Sequence, residues 1–153
     1  MTKPLVLADS SAWIHFLRQG DSHPSGILLK TFLQQDVVAT TWIIRLELLS
    51  GTPTEEAYRA LDADVAELRQ LPLTDPLFQA ASVLRWRLQR KGIAIPVTDC
   101  LIAACAIFYD CALLHDDRHF PLIARHTPLR LHSVEKRRKT GKSIPGSEGM
   151  GSG

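Results

Sequence analysis

Short apolar runs alternate along the chain with longer stretches whose apolar positions recur at helical spacing. The first run, residues 5–8, leads directly into "DSSAWIHFLR". There Trp13, Ile14, Phe16 and Leu17 share a helical face, and Ser10 or Ser11 is the expected cap. "SGILLKTFLQQ" has the pattern of a second helix, and "DVVAT" that of a buried strand. Thr40 or Thr41 then opens the apolar helix "WIIRLELLS", which Gly51 stops. "PTEEAYRALDADVAELRQ" starts with Pro53 and two early glutamates, the charge bias of a helix start. A strand over residues 71–73 and a helix over "DPLFQAASVLRWRLQRKG" follow, the latter ended by Gly92. "PVTDCLIAACAIFYD" has almost no polar face, which places a helix capped by Thr98 at the centre of the fold. The strand "ALL", a short helix over residues 120–125 and an edge strand "LRLH" complete the pattern. Strands of this length alternating with helices predict an α/β fold, a short parallel sheet with helices on both faces.

The 153 residues suffice for one domain, and 45% apolar with 22% charged residues is an ordinary globular composition. We place that domain at residues 1–134. Residues 135–153 are basic, then Gly/Ser-rich, and read as a disordered tail whose "GMGSG" ending resembles an expression scar. The tail also distorts the net charge of +2: without residues 136–153 the balance is 13 basic to 15 acidic side chains. Overall charge therefore makes no case for nucleic-acid binding. Cys100, Cys105 and Cys111 fit no common zinc spacing and read as buried, reduced thiols. No apolar run approaches the roughly 20 residues of a membrane span, and the first is too short for a signal peptide. A soluble, cytoplasmic protein without membrane association is expected.

The chemistry lies in the acids. Ligands of an open parallel sheet bind beyond the carboxyl ends of its strands. Asp9 follows the first strand, and Asp116 and Asp117 follow "ALL". Asp99 falls in the first turn of the buried helix, where the helix dipole favours a carboxylate. Glu47 stands between Leu46 and Leu48 in a greasy helix. Each has a plain alternative: Asp9 as a helix cap, Asp99 as first-turn charge, Asp116 and Asp117 as a solvated turn, Glu47 as a surface partner of Arg45 or Arg18. Gathered at one edge they would need a cation, because like charges raise one another's pKa. Hard oxygen ligands without cysteine favour Mg²⁺ or Mn²⁺, and the matching chemistry is hydrolysis of a phosphodiester by an activated water. Ser10 and Thr98 are candidates for fixing carboxylate rotamers, or are plain helix caps. His115 and His119 read as polar neighbours of the turn rather than ligands.

Four segments in order, "VLADSSAWI", "TTWIIRLELLSG", "IPVTDCLIAACAI" and "LLHDDRHFPLIA", resemble the acid-bearing segments of PIN-domain ribonucleases, most closely VapC-like toxins of type II toxin–antitoxin systems. The resemblance implies a Rossmann-like PIN domain with catalytic, metal-binding acids Asp9, Glu47, Asp99 and Asp117, Glu47 acting directly or through water. It implies Mg²⁺ (or Mn²⁺) as cofactor, an RNA substrate such as transfer or ribosomal RNA, a cognate small antitoxin protein as partner, and a homodimer. Successive side chains leaving a strand point opposite ways. The family register selects Asp117 and leaves Asp116 as its outward neighbour, supporting the site from behind. His119 departs from the pattern, standing where the family often has another acid. The alternative is a non-catalytic PIN-fold module that binds RNA or protein. A phosphate-accepting receiver domain would want an acidic pair after the first strand, and Asp9-Ser10-Ser11 lacks it.

Overall fold

The computed structural model describes residues 3–133; the proposed tail lies outside them. Five parallel strands form the sheet: β1 (Val6–Ala8), β2 (Val38–Thr40), β3 (Arg69–Gln70), β4 (Ala112–His115) and β5 (Leu131–Ser133). Their order is β3-β2-β1-β4-β5. Seven α-helices connect or cover them: α1 (Ser10–Gln19), α2 (Pro24–Gln34), α3 (Trp42–Ser50), α4 (Glu55–Ala66), α5 (Asp75–Arg90), α6 (Val97–Phe108) and α7 (His119–Ala124). No helix among the described residues is long and apolar enough to cross a membrane.

The chain winds outward from β1 to β2 and β3, then returns past β1 to lay down β4 and β5. The reversal falls between β1 and β4, paired in register as Val6 with Ala112, Leu7 with Leu113 and Ala8 with Leu114. β1, β2 and β4 are buried throughout, so their side chains are apolar on both faces and carry no alternation, save for Thr40 and His115 at the carboxyl ends of β2 and β4. α6 is buried from Cys100 to Ala106, as its missing polar face requires, although Val97 and Phe108 at its ends are exposed. The three cysteines are free and buried, and burial pushes the Cys105 thiol up to about 12.

Five expectations shift in the structure. Asp9, not Ser10 or Ser11, caps α1: its carboxylate accepts the Ser11 N–H. α6 opens on Pro96 rather than Thr98, whose position falls inside the first turn with no capping bond. The Thr41 hydroxyl stands at the N-cap of α3 but donates to the Leu71 carbonyl instead. α4 ends at Ala66, because the Gln70 side-chain amide donates to the carbonyls of Val65 and Leu68 and stops the helix there. The strand expected at residues 71–73 is therefore the polar, exposed pair Arg69–Gln70, pinned to β2 by the Leu71 N–H on the Thr40 carbonyl.

A 3₁₀ turn, Gly20–Ser22, returns the chain from α1 to α2. Gly20 takes a φ of 52°, and a Cβ on Gly26 would collide with the Gly20 carbonyl oxygen. The helices thus close tightly, and the His15 and His23 rings stack 3.7 Å apart with planes 1° from parallel.

Candidate active site

The strand-end acids meet at the reversal of strand order, where open sheets of this kind bind ligands. Asp9 leaves β1 with its N–H on the Leu114 carbonyl of β4, so its backbone is locked to the neighbouring strand. Its Oδ2 accepts both the Ser11 N–H (3.1 Å) and the Ser11 hydroxyl (2.6 Å). The plain reading of Asp9 as a cap and the functional one hold together. Burial pushes its carboxyl above the usual range, the bonds from Ser11 oppose that, and the charge of Asp117 adds to it.

α3 brings Glu47 to the rim. The residue is exposed, yet its Oε2 accepts the Ser10 hydroxyl at 3.2 Å. Burial of that carboxyl, followed by the charges of Asp9, Asp99 and Asp117, pushes it upward against the Ser10 bond. Arg45 is not its partner: it is buried, ion-paired to Asp62 at 3.0 Å and stacked on Trp42. The first turn of α6 supplies Asp99, raised first by burial and then by Asp117 and Asp9, while His119 pulls it down. The four acids named from the sequence thus face one another, and desolvation outranks mutual repulsion as the force on each raised group.

The segment after β4 separates its two aspartates. Asp117 turns toward the acids; its Oδ1 accepts the His119 N–H at 2.9 Å, and ligand atoms of Asp99, Asp117 and His119 lie within 4.8 Å of one another. Asp116 turns away to His15 and His23, and only its backbone N–H, donated to the Ser11 hydroxyl at 2.9 Å, joins the Asp9 network. Its side chain therefore does not support the pocket as expected. Ser10 does, through Glu47, while Thr98 makes no capping bond.

The histidines are more than polar neighbours. His119 Nδ1 sits 2.7 Å from Asp99 Oδ2 and 3.1 Å from Asp117 Oδ1, inside the acidic pocket. His115 is buried, accepts the Asp117 N–H at Nδ1 and packs edge-on against Phe120. Burial depresses its pKa, so the neutral ring orients the turn that presents Asp117. Sequence reasoning also missed Ser11, which "DSS" offered as the second of two serines.

An apolar groove of about 400 Å³ adjoins Glu47. Ile14 and Leu17 of α1 face Leu48 across it, with Leu61 of α4 beyond, which explains why half of the expected buried face of α1 is exposed. A larger cavity, about 700 Å³ between α5 and the segment after α7, holds none of the four acids. Arg87, Arg90 and Lys91 line it, whereas Arg85 turns back to the Ile95 carbonyl.

A family model described as the PIN domain matches residues 6–126. The chain is 31% identical over 133 residues to the VapC ribonuclease Mb1587 of Mycobacterium bovis and to ribonuclease VapC11 of Mycobacterium tuberculosis, spanning 84% of this chain and 98% of each relative. Its fold is similar to that of VapBC2 from Rickettsia felis bound to a promoter DNA fragment, with a TM-score of 0.69 at 20% identity over 86% of this chain and 99% of that one. It is also similar to Mycobacterium tuberculosis VapC20, a sarcin-ricin loop cleaving toxin, with a TM-score of 0.61 at 16% identity over 82% and 98% of the two chains.

Proposed function

Because the chain belongs to the PIN-domain family and stands among its VapC ribonucleases, we propose that it is a Mg²⁺- or Mn²⁺-dependent endoribonuclease, the toxin of a toxin–antitoxin pair. The observation that carries this reading is the convergence of Asp9, Asp117, Asp99 and Glu47 at the reversal between β1 and β4. The donor set fits a hard divalent ion. It is dominated by carboxylate oxygens, with the His119 imidazole bonded to Asp99 and Asp117 beside them. The cysteines are buried in the core, and burial and mutual repulsion, which a cation would offset, hold three of the four acids above their usual range. Asp9, Asp99 and Asp117 would hold the ion. Bound there, it acidifies a water and offsets the charge that builds on the phosphate.

The remaining work belongs to the protein. Ser11 fixes the Asp9 rotamer, and the His119 backbone and ring fix Asp117 and Asp99. Glu47, with Oε2 held by Ser10, is the acid placed to orient the attacking water and accept its proton, and burial followed by the charges of Asp9, Asp99 and Asp117 pushes its pKa in the direction a general base needs. The substrate is RNA, of the transfer or ribosomal class. The groove of Ile14, Leu17 and Leu48 beside Glu47 would take an apolar segment of a small antitoxin, which would close the pocket from its rim. A homodimer would use the exposed Phe78, Trp86 and Val97 on α5 and α6.

The test is cleavage of total cellular RNA by purified protein, with fragment ends mapped by sequencing. Wild type should cut at defined sites with Mg²⁺ or Mn²⁺ and stop in EDTA. Asp99→Asn should lose about 10²-fold or more in rate while keeping its circular dichroism spectrum. Wild-type rates in Asp99→Asn would refute the site, and absence of both cleavage and Mg²⁺ binding would identify a non-catalytic binding module.

A further inference from the structure

A second cluster of ligand atoms lies on the far side of the 116–117 turn. His15 Nε2 is 2.6 Å from Asp116 Oδ2, His23 Nε2 is 3.6 Å from the same oxygen, and a ligand atom of each residue lies within 4.8 Å of the other two. We propose that His15, His23 and Asp116 form a second metal site, distinct from the acidic pocket, selective for a borderline transition ion such as Zn²⁺ or Co²⁺.

The donor chemistry separates the two sites. Two imidazole nitrogens and one carboxylate suit Zn²⁺ and its neighbours, with water completing the coordination, whereas Mg²⁺ prefers oxygen. All three side chains are partly open, so an ion and its waters can reach them. His23 also has a partner on its other ring nitrogen, as metal-bound imidazoles usually do. His23 Nδ1 faces the hydroxyl of fully buried Ser25 at 2.7 Å and the Ser25 N–H at 3.2 Å, fixing the ring with Nε2 outward. Nδ1 accepts the Ser25 N–H in the metal-free protein. When Nε2 binds an ion the proton moves to Nδ1, which gives up that bond and donates to the Ser25 hydroxyl instead, a partner of the kind that orients metal-bound imidazoles.

His15 is brought alongside by the tight α1–α2 closure at Gly20 and Gly26. The two ring planes are nearly parallel, so their in-plane lone pairs run side by side. Capture of an ion opens the stack through rotation of the partly exposed His15 side chain, whose ring, unlike that of His23, is not tied to Ser25. Occupied, the site ties α1 and α2 to the turn that presents Asp117, and that turn is already bonded to Ser11 through the Asp116 N–H.

The experiment titrates the untagged full chain with Co²⁺ or Zn²⁺ in excess Mg²⁺, following Co²⁺ absorption and calorimetric heat. The variants are His15→Gln, His23→Asn (which keeps a capping residue at the start of α2) and Asp9→Asn. Wild type and Asp9→Asn should bind one ion per chain with equal affinity, and each histidine variant should bind at least tenfold more weakly. Zinc-edge X-ray absorption of the wild-type complex, which needs no variant to fold, should show two imidazole ligands. Unchanged affinity in both histidine variants would overturn the proposal. So would loss of the ion in Asp9→Asn, or a spectrum with thiolate ligands or fewer than two imidazoles.

Discussion

Asp117→Asn removes one charge from the acidic pocket and almost nothing else. The amide keeps an Oδ1 that can accept the His119 N–H, so the turn survives. Ligand atoms of Asp99 and Asp117 lie within 4.8 Å. At that separation two carboxylates repel by about 3.5 kcal/mol at an effective dielectric constant near 20, and by about 0.9 kcal/mol in water. The side chains are 13% and 31% exposed, so solvent screens part of the repulsion. We expect metal-free Asp117→Asn to be more stable than wild type by about 1–2 kcal/mol, or roughly 3–8 °C in Tm for a domain of this size. The assay is thermal unfolding by circular dichroism at pH 8 and low salt, in EDTA and again in Mg²⁺. Wild type should gain stability from Mg²⁺ and the variant little, and 1 M KCl should narrow the gap in EDTA. A variant less stable than wild type in EDTA, or one that gains as much from Mg²⁺, would refute a repulsive pocket relieved by a cation.

Other perturbations follow from the same geometry. The native state raises Asp9, Glu47 and Asp99, so it holds protons that the unfolded chain releases. Their contribution to metal-free stability is therefore greatest in acid and falls as pH climbs from the ordinary aspartate value of 3.8 through the raised native values. Urea midpoints in EDTA should show a shallower fall in Asp9→Asn than in wild type, and equal slopes would contradict the shifts. His119→Asp puts a carboxylate where a nitrogen now bonds Asp99; calorimetry should find tighter Mg²⁺ binding, by about tenfold, with a lower Tm in EDTA. Phe120→Ala empties a fully buried site under the His115 ring and should cost about 3–5 kcal/mol in urea unfolding.

The alternating apolar runs made the fold class legible, because parallel strands buried on both faces are apolar except at their ends, where Thr40 and His115 sit. The 116–117 register was equally readable, since neighbouring side chains off a strand end must diverge, and here one meets acids and the other histidines. What failed depended on contacts between elements. The end of α4 rests on the Gln70 amide reaching back to Val65 and Leu68, and β3 itself is two polar residues with no apolar signature. The His15–His23 stack exists only after α1 and α2 close on each other, and nothing in their eight-residue separation announces it. Ser10 and Ser11 were given the cap that Asp9 took, because a carboxylate at a strand end can serve helix and pocket together.

The reversal of strand order also sets when the site can exist during synthesis. The Ser11 hydroxyl and the Asp116 N–H that it accepts are 105 positions apart, and β4 pairs with β1 only after α6 has left the ribosome. Asp9 and Glu47 are made early, but the strand that delivers Asp117 is among the last elements translated. Long-range parallel pairing of this kind forms late in folding. A growing chain therefore carries no complete pocket until nearly the whole domain is made.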